Sequence, residues 1–197
     1  MGRTAWGLLV FGLGLLMLRP SHAEAAILIN EVLADPPAVG GDANGDGVVS
    51  SSQDEFVELF NMGNDPVSLA NWSLSDAQKL RHTFAQDALI VGRGFFVVFG
   101  GLGLNNDGDI VSLFDGAGVL QDRLTYGPEG GMDASLTRFP DGEGSFTRHT
   151  FVSTQPFSPG APAVATPPIH SLPEPCSLVL LGLGGVASLF RRTASTF

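Results

Sequence analysis

Oxygen-bearing side chains crowd the segment "DANGDGVVSSSQDE", residues 42–55, at a spacing that suits cation binding. Asp42, Asn44 and Asp46 occupy alternate positions, and Gly47 follows them where a loop wrapping an ion must turn sharply. Calcium prefers six to eight oxygen ligands, so side chains at alternate positions can converge on one ion. The segment therefore predicts a structural Ca2+ site.

The remaining candidate ligands follow in calcium-loop order. The backbone carbonyl of Val48 and the hydroxyl of Ser50 would come next. The pattern departs from an EF-hand at its twelfth position, which is Gln53 rather than glutamate, so Asp54 or Glu55 would supply the closing carboxylate. Apolar helices do not flank the segment, which predicts a calcium loop inserted between strands. The alternative is a polar, glycine-rich turn in an acidic protein.

The elements that must position this loop are short apolar runs separated by glycine and proline every eight to twelve residues or so. The runs are "ILINEVLA", "DEFVELFN", "PVSLANWSLSD", "HTF", "ALIV", "GFFVVFG", "DIVSLFD", "VLQDRLTY" and "SLTRF". Several alternate with a period of two, as in residues 56–60, and little of the region shows a helical period. Many short strands with such punctuation predict an all-β fold, an antiparallel sandwich or barrel.

Two segments between these runs are predicted to be hairpin turns, "NNDGD" at 105–109 and "DGAG" at 115–118, because Asn and Gly tolerate positive φ. From Pro156 to Pro175 the chain is rich in proline and alanine and almost without charge. We therefore expect a folded domain at 26–160 and an extended linker at 161–172.

The order of the runs resembles that of the lamin tail domain, over nearly the whole chain between its two ends. The strongest pieces are Ile29-Asn30-Glu31-Val32, Phe56-Val57-Glu58-Leu59, Leu69-x-x-Trp72-x-Leu74-x-Asp76, Arg138-x-Pro140-Asp141-Gly142 and Ser158-Pro159-Gly160. The resemblance implies an immunoglobulin-like antiparallel β-sandwich, found in nuclear lamins and in exported bacterial proteins. Coiled-coil heptads do not precede the domain, so the filament role of lamins is not transferred.

Some polar and aromatic residues in these pieces have predicted structural roles. Trp72 lies between alternating leucines and is expected to be a buried anchor of the core. Asn30, Glu31 and Glu58 interrupt apolar strands. They are interpreted as residues of a solvent-facing side; the alternative is that Glu31 or Glu58 holds a nearby loop by hydrogen bonds.

Residues 1–25 have the organisation of a secretory signal peptide. Arg3 precedes an apolar run from Ala5 to Leu18, and small residues at cleavage spacing follow between Ala23 and Ala26. An apolar run of about 14 residues is short for a membrane-spanning helix, which needs about 20. We expect a signal helix and export of the protein.

Residues 173–197 combine three features: Pro173-Glu174-Pro175, a short apolar run, and the pair Arg191-Arg192. This order resembles the PEP-CTERM sorting signal of bacterial exported proteins, which implies processing near the tripeptide by an exosortase-type membrane enzyme. The apolar run would form a helix of roughly 22 Å, against a hydrocarbon core of about 30 Å. The resemblance implies transient anchoring in the membrane through this helix; the alternative is a plain C-terminal anchor.

Charge restricts the partners. The two end segments contain four of the ten basic and two of the twenty acidic residues, leaving six basic and eighteen acidic residues, a balance of −12, between them. That balance argues against nucleic-acid binding and against adhesion to anionic lipid, and it permits cation binding. The four histidines lack metal-ligand spacing, and neither His-Glu-x-x-His nor Gly-x-Ser-x-Gly occurs.

The sequence therefore predicts a non-catalytic module at the cell surface or in the extracellular matrix, stabilised by calcium. Its expected partners are the sorting enzyme and a surface polysaccharide or protein. The alternative function is a calcium-dependent hydrolase of nuclease or phosphatase type, or an accessory domain to one.

Overall fold

The structure, a computed structural model, describes residues 27–164. The strands are β1 (Ile27–Leu33), β2 (Phe56–Asn61), β3 (Val67–Ser68), β4 (Ser73–Ser75), β5 (Leu80–Thr83), β6 (Leu89–Ile90), β7 (Phe95–Phe99), β8 (Asp109–Phe114), β9 (Leu120–Tyr126), β10 (Leu136–Phe139) and β11 (Ser145–Arg148). Two 3-10 helices span Pro128–Gly131 and His149–Phe151. The predicted signal peptide and sorting tail, including Pro173-Glu174-Pro175 and Arg191-Arg192, lie outside the described residues.

The strands form two main antiparallel sheets. One has the order β11-β10-β1-β2-β7 and the other β5-β4-β8-β9, while β3 and β6 pair as a separate two-stranded ribbon. This arrangement confirms the predicted all-β, antiparallel fold, and it is consistent with an immunoglobulin-like sandwich. Within residues 27–164, no helix is long and apolar enough to cross a membrane.

The hydrophobic core lies between the two sheets. Ile29 and Leu59 enter it from the five-stranded sheet, and Leu74 and Leu113 from the four-stranded sheet, all with at most 1% of their surface exposed. Burial of each such side chain contributes about 1.5–3 kcal/mol. The core therefore explains why apolar residues alternate along these strands, because one side of each strand faces the opposite sheet.

Strand β2 is buried on its second side as well. A C-terminal strap, which we define as residues 156–163, covers this outer face of the sheet. Phe157 of the strap contacts Phe56 of β2 edge-on, with ring centroids 6.3 Å apart, and Ala163 is buried at the strap's end. Residues 161–164, where the expected linker begins, therefore belong to the folded unit, and the rest of the expected linker lies outside the described residues.

The two predicted hairpin turns have different outcomes. Residues 115–118 do connect the paired strands β8 and β9. The amide of Gly118 donates a hydrogen bond to the Asp115 carbonyl, and the amide of Val119 donates one to the Asp115 side chain. Residues 105–109 instead carry the chain from β7 in one sheet to β8 in the other. Asp109 accepts hydrogen bonds from the backbone and side-chain amides of Asn105, so this segment is a closed inter-sheet connection rather than a hairpin.

Trp72 packs against the core, as expected of an anchor, but its indole is only partly buried, whereas the flanking Leu69 and Leu74 are buried completely or nearly so. The reason is local, because a tight turn separates β3 from β4. The Trp72 amide closes this turn by donating a hydrogen bond to the carbonyl of Leu69. Asn71 has a φ of 63° there, which interrupts the strand alternation.

Leu74→Ala should lower the free energy of unfolding by about 2–5 kcal/mol, because it leaves a cavity between the sheets. Leu80→Ala is the matched control: Leu80 lies in the neighbouring strand β5 with 60% of its surface exposed, and its loss should change stability by no more than about 0.5 kcal/mol. Urea denaturation of both variants measures the difference. Equal losses would contradict the described position of the core.

Candidate calcium loop and the buried carboxylates

The candidate calcium loop lies within the connection between β1 and β2, which are antiparallel neighbours in the five-stranded sheet. It is inserted between strands, as predicted. Gly45 and Gly47 have φ values of 74° and 89°, in the left-handed region that favours glycine. A Cβ at either position would meet nothing within 4 Å, so the backbone conformation, and not crowding, requires glycine.

The loop's own side chains hold its backbone. The two carboxylate oxygens of Asp42 accept hydrogen bonds from the amides of Asp46 and Gly47, at 3.0 and 2.9 Å. The Asn44 side-chain oxygen also accepts from the Asp46 amide, at 2.9 Å, and Asp46 Oδ1 accepts from the amide of Val48, at 2.8 Å. Carboxylate oxygens that accept one hydrogen bond keep a further lone pair, so these atoms remain able to bind a cation.

Asp54 connects the two ends of the loop. It is fully buried, and its carboxylate accepts hydrogen bonds from the amides of Asn44 and Ser50, at 3.0 and 2.7 Å. The other closing candidate, Glu55, lies on the opposite side of the chain and accepts hydrogen bonds from the amides of Gly103 and Leu104. Of the two carboxylates, Asp54 is therefore the one that reaches the loop. Burial raises the pKa of Glu55 above its usual range.

The donor set determines what this loop could bind. Only Asp42 and Asp46 are acidic among the side chains that line its turn, and residues 27–164 contain no group of three or more His, Cys, Asp or Glu side chains placed to hold a metal ion. A calcium ion would therefore depend on the oxygens of Asn44, Val48 and Ser50 as much as on carboxylates. This mixed oxygen set fits a hard cation, and calcium binding stays a prediction.

A second polar cluster lies under the strap. Glu31 and Glu58 are fully buried cross-strand neighbours in β1 and β2. A bulge between Ile29 and Glu31 inserts Asn30 beside them. The Asn30 side-chain amide donates to Glu58 and to Asp141, both at 3.0 Å. The interpretation of these residues as solvent-facing is wrong.

The two glutamates hold the strap. Glu31 accepts hydrogen bonds from the amide and the hydroxyl of Ser158, both at 2.9 Å, and Glu58 accepts from the amide of Gly160 at 2.6 Å. Ser135, next to β10, also donates its hydroxyl to Glu31. The alternative interpretation, that these glutamates hold a nearby segment by hydrogen bonds, is confirmed. Each carboxylate satisfies backbone amides that burial would otherwise leave unpaired.

His149 completes the cluster, and sequence reasoning gave it no role. It is fully buried, with Nδ1 2.8 Å from the carbonyl oxygen of Gln155 and Nε2 2.9 Å from the hydroxyl of Ser158. A carbonyl only accepts, so Nδ1 donates to Gln155. The series is not that of a nucleophilic triad, because the carboxylate of Glu31 contacts the serine and not the histidine. Spacing could not reveal it, since Glu31 and His149 are far apart in the chain.

The electrostatics of this cluster favour bound protons. Burial raises the pKa of Glu58 to about 8, and the neighbouring carboxylates of Glu31 and Asp141 add to the effect, against hydrogen bonds from Asn30 and Gly160. Burial likewise raises the pKa of Glu31. The ion pairs among the described residues are Arg81–Asp76 and Arg138–Asp122, so neither glutamate has an arginine or lysine partner there.

Asp54→Ala should lower the free energy of unfolding by about 1–3 kcal/mol in calcium-free buffer, because the amides of Asn44 and Ser50 lose their acceptors. The control is Asp46→Ala, which removes an exposed carboxylate from the same loop and should change stability by at most about 0.5 kcal/mol without calcium. Chemical denaturation in the presence of a chelator measures both. An Asp54 variant as stable as the control would contradict the anchoring role.

Comparison with known proteins agrees with this architecture. A family model described as Lamin Tail Domain matches residues 20–128, a span that contains β1 to β9 and the candidate calcium loop. None of the curated proteins compared with the chain matches it. The strap and most of its partners follow the matched span, whereas Glu31 and Glu58 lie within it. Because the match covers more than half of the sequence, the chain belongs to the lamin tail domain family.

Proposed function

We propose that this lamin tail domain is a non-catalytic module of an exported cell-surface or extracellular-matrix protein. Calcium stabilises it, and it mediates interactions with protein or polysaccharide. The observation that carries the proposal is the loop at 42–55, in which Asp42, Asn44 and Asp46 present oxygens around a glycine turn anchored by the buried Asp54.

The charge balance supports a cation at this loop. Asp46 is exposed and Asp42 half-buried, in a region of the chain that has three acidic residues for every basic one. A calcium ion would neutralise part of this negative charge and would order a loop in which like charges repel one another. A structural ion at the periphery of a sandwich suits a binding module.

The use of the buried titratable groups supports a non-catalytic role. Catalytic sites concentrate titratable residues with perturbed pKa values where substrate can reach them. Here the groups with raised pKa values and full burial, Glu31 and Glu58, accept hydrogen bonds from the strap, and His149 joins the same cluster. Their perturbed chemistry therefore serves the packing of a chain segment.

Export and sorting rest on residues outside the described range. A signal peptide at 1–25 would direct the chain out of the cytoplasm, and Pro173-Glu174-Pro175 with Arg191-Arg192 would engage an exosortase-type enzyme at the membrane. The described residues end at Val164, before the tripeptide in the sequence. The apolar run of the tail would tether the protein to the membrane until the tail is processed.

The protein recovered from the cell surface should lack both ends, with one cut between Ala23 and Ala26 and a second near Pro173-Glu174-Pro175. Intact mass spectrometry of the surface fraction measures this. Cells that lack the sorting enzyme are the control and should retain the uncut tail. A surface product that keeps Arg191-Arg192 would reduce the tail to a plain membrane anchor.

Calcium should raise the melting temperature of the protein by several degrees, since a ligand at a hundredfold excess over its dissociation constant stabilises the folded state by about 2.7 kcal/mol. Thermal melting with millimolar calcium and with chelator measures the shift. Magnesium should substitute poorly, because it demands tight octahedral geometry and gives up water reluctantly.

The variant Asp42→Asn with Asp46→Asn should abolish this shift while keeping side-chain oxygens that accept the loop's backbone amides. Asp115→Asn is the matched control, because Asp115 makes the same kind of side-chain-to-backbone turn in the β8–β9 hairpin. It should leave the calcium shift unchanged. Identical melting curves of the native protein with calcium and with chelator would refute the site and leave a polar turn.

A further inference from the structure

Two buried acidic side chains hold the strap by its backbone amides. The amide of Ser158 is held by Glu31 and that of Gly160 by Glu58, at 2.9 and 2.6 Å. Phe157 of the strap also packs edge-on against Phe56, Ala163 is buried, and the carbonyl of Pro156 accepts a hydrogen bond from the Ser135 amide. Any change in the charge of the two glutamates must therefore act directly on the bonds that keep the strap in place.

The charges around these glutamates are unbalanced. From β1 comes Glu31, from β2 Glu58 and from the turn before β11 Asp141, so three carboxyl groups meet beneath one strap. The 3-10 helix that follows β11 contributes His149, which is the one titratable base in contact with the cluster among residues 27–164. Burial of adjacent like charges without matching cations is costly, and binding a proton removes that cost.

The two glutamates differ in their partners. The Ser158 hydroxyl has a single hydrogen, which it donates to Glu31, and the same hydroxyl lies 2.9 Å from His149 Nε2. Glu58 accepts hydrogen bonds from the Asn30 side-chain amide and from the Gly160 amide of the strap.

We propose that the strap is a proton-controlled latch: it stays closed while the Glu58 carboxyl beside Glu31 holds a proton, and it opens as that proton is lost. Opening would free residues 156–163 from the sheet and expose the outer face of β1 and β2. The latch depends on the fold alone, and it would operate whether or not the loop at 42–55 binds calcium.

The direction of the pH dependence follows from linkage. Burial in the closed state raises the pKa of Glu58 from its ordinary value of 4.5 to about 8. Opening would return water to this carboxyl and lower its pKa toward the ordinary value, so the closed strap binds more protons than the open one and is lost progressively as the pH rises toward 8. The equilibrium constant for opening should therefore rise by up to about tenfold per pH unit in this window.

Hydrogen exchange of the full chain, corrected for the intrinsic effect of pH, tests the proposal at the Ser158 and Gly160 amides. From pH 6 to pH 8 their opening constant should rise by up to about 100-fold, while amides of β4 in the opposite sheet should show no such rise. Glu58→Gln, which keeps an oxygen for the Gly160 amide but cannot ionise, should remove the dependence. Glu143→Gln, an exposed control in the 140–144 turn, should retain it.

Three results would overturn the latch: strap exchange independent of pH in the native protein, an unchanged dependence in Glu58→Gln, or an equal rise at β4, which would mean that the whole domain opens. If Glu58→Gln does not fold, carbon NMR of the Glu58 carboxyl in the native protein replaces it. Its titration midpoint should coincide with strap opening, near 8. A midpoint in the ordinary glutamate range would refute the proposal.

Discussion

The buried pair of Glu31 and Glu58 is the constraint on which the outer half of this domain depends. Burying two carboxyl groups side by side on the face of a sheet costs free energy unless hydrogen-bond partners replace the lost water. The structure supplies these partners from segments far apart in the chain: Asn30 from the β1 bulge, Ser135 beside β10, and the amides of the strap. The chain after β11 must therefore return across the sheet, and the β-sandwich gains a third covering layer on one side.

The piece Arg138-x-Pro140-Asp141-Gly142 links the two sheets to this buried cluster. Arg138 bridges the two sheets, since its guanidinium donates to the carbonyl of Ile29 and to the carboxylate of Asp122 in β9. Three residues further on, Asp141 accepts a hydrogen bond from Asn30, while the Gly142 amide donates to the Asn30 side-chain oxygen. One short stretch thus closes the edge of the sandwich and completes the buried cluster beneath the strap.

Acidic side chains hold backbone amides in two different environments in this molecule. In the 42–55 loop, exposed carboxylates such as Asp46 accept hydrogen bonds from backbone amides in contact with water. Under the strap, the carboxyls of Glu31 and Glu58 organise backbone amides away from water, where burial favours their neutral form.

The sequence by itself determined the all-β class, most of the strands and the insertion of the acidic loop between β1 and β2, because period-two alternation and glycine punctuation are local signals. Tertiary structure decided the rest. Local pattern could not show that the side of β2 bearing Glu58 is covered, since the covering strap lies about a hundred residues away in the chain. It could not place Trp72 at the edge of the core or pair His149 with Ser158, because both depend on how distant segments pack.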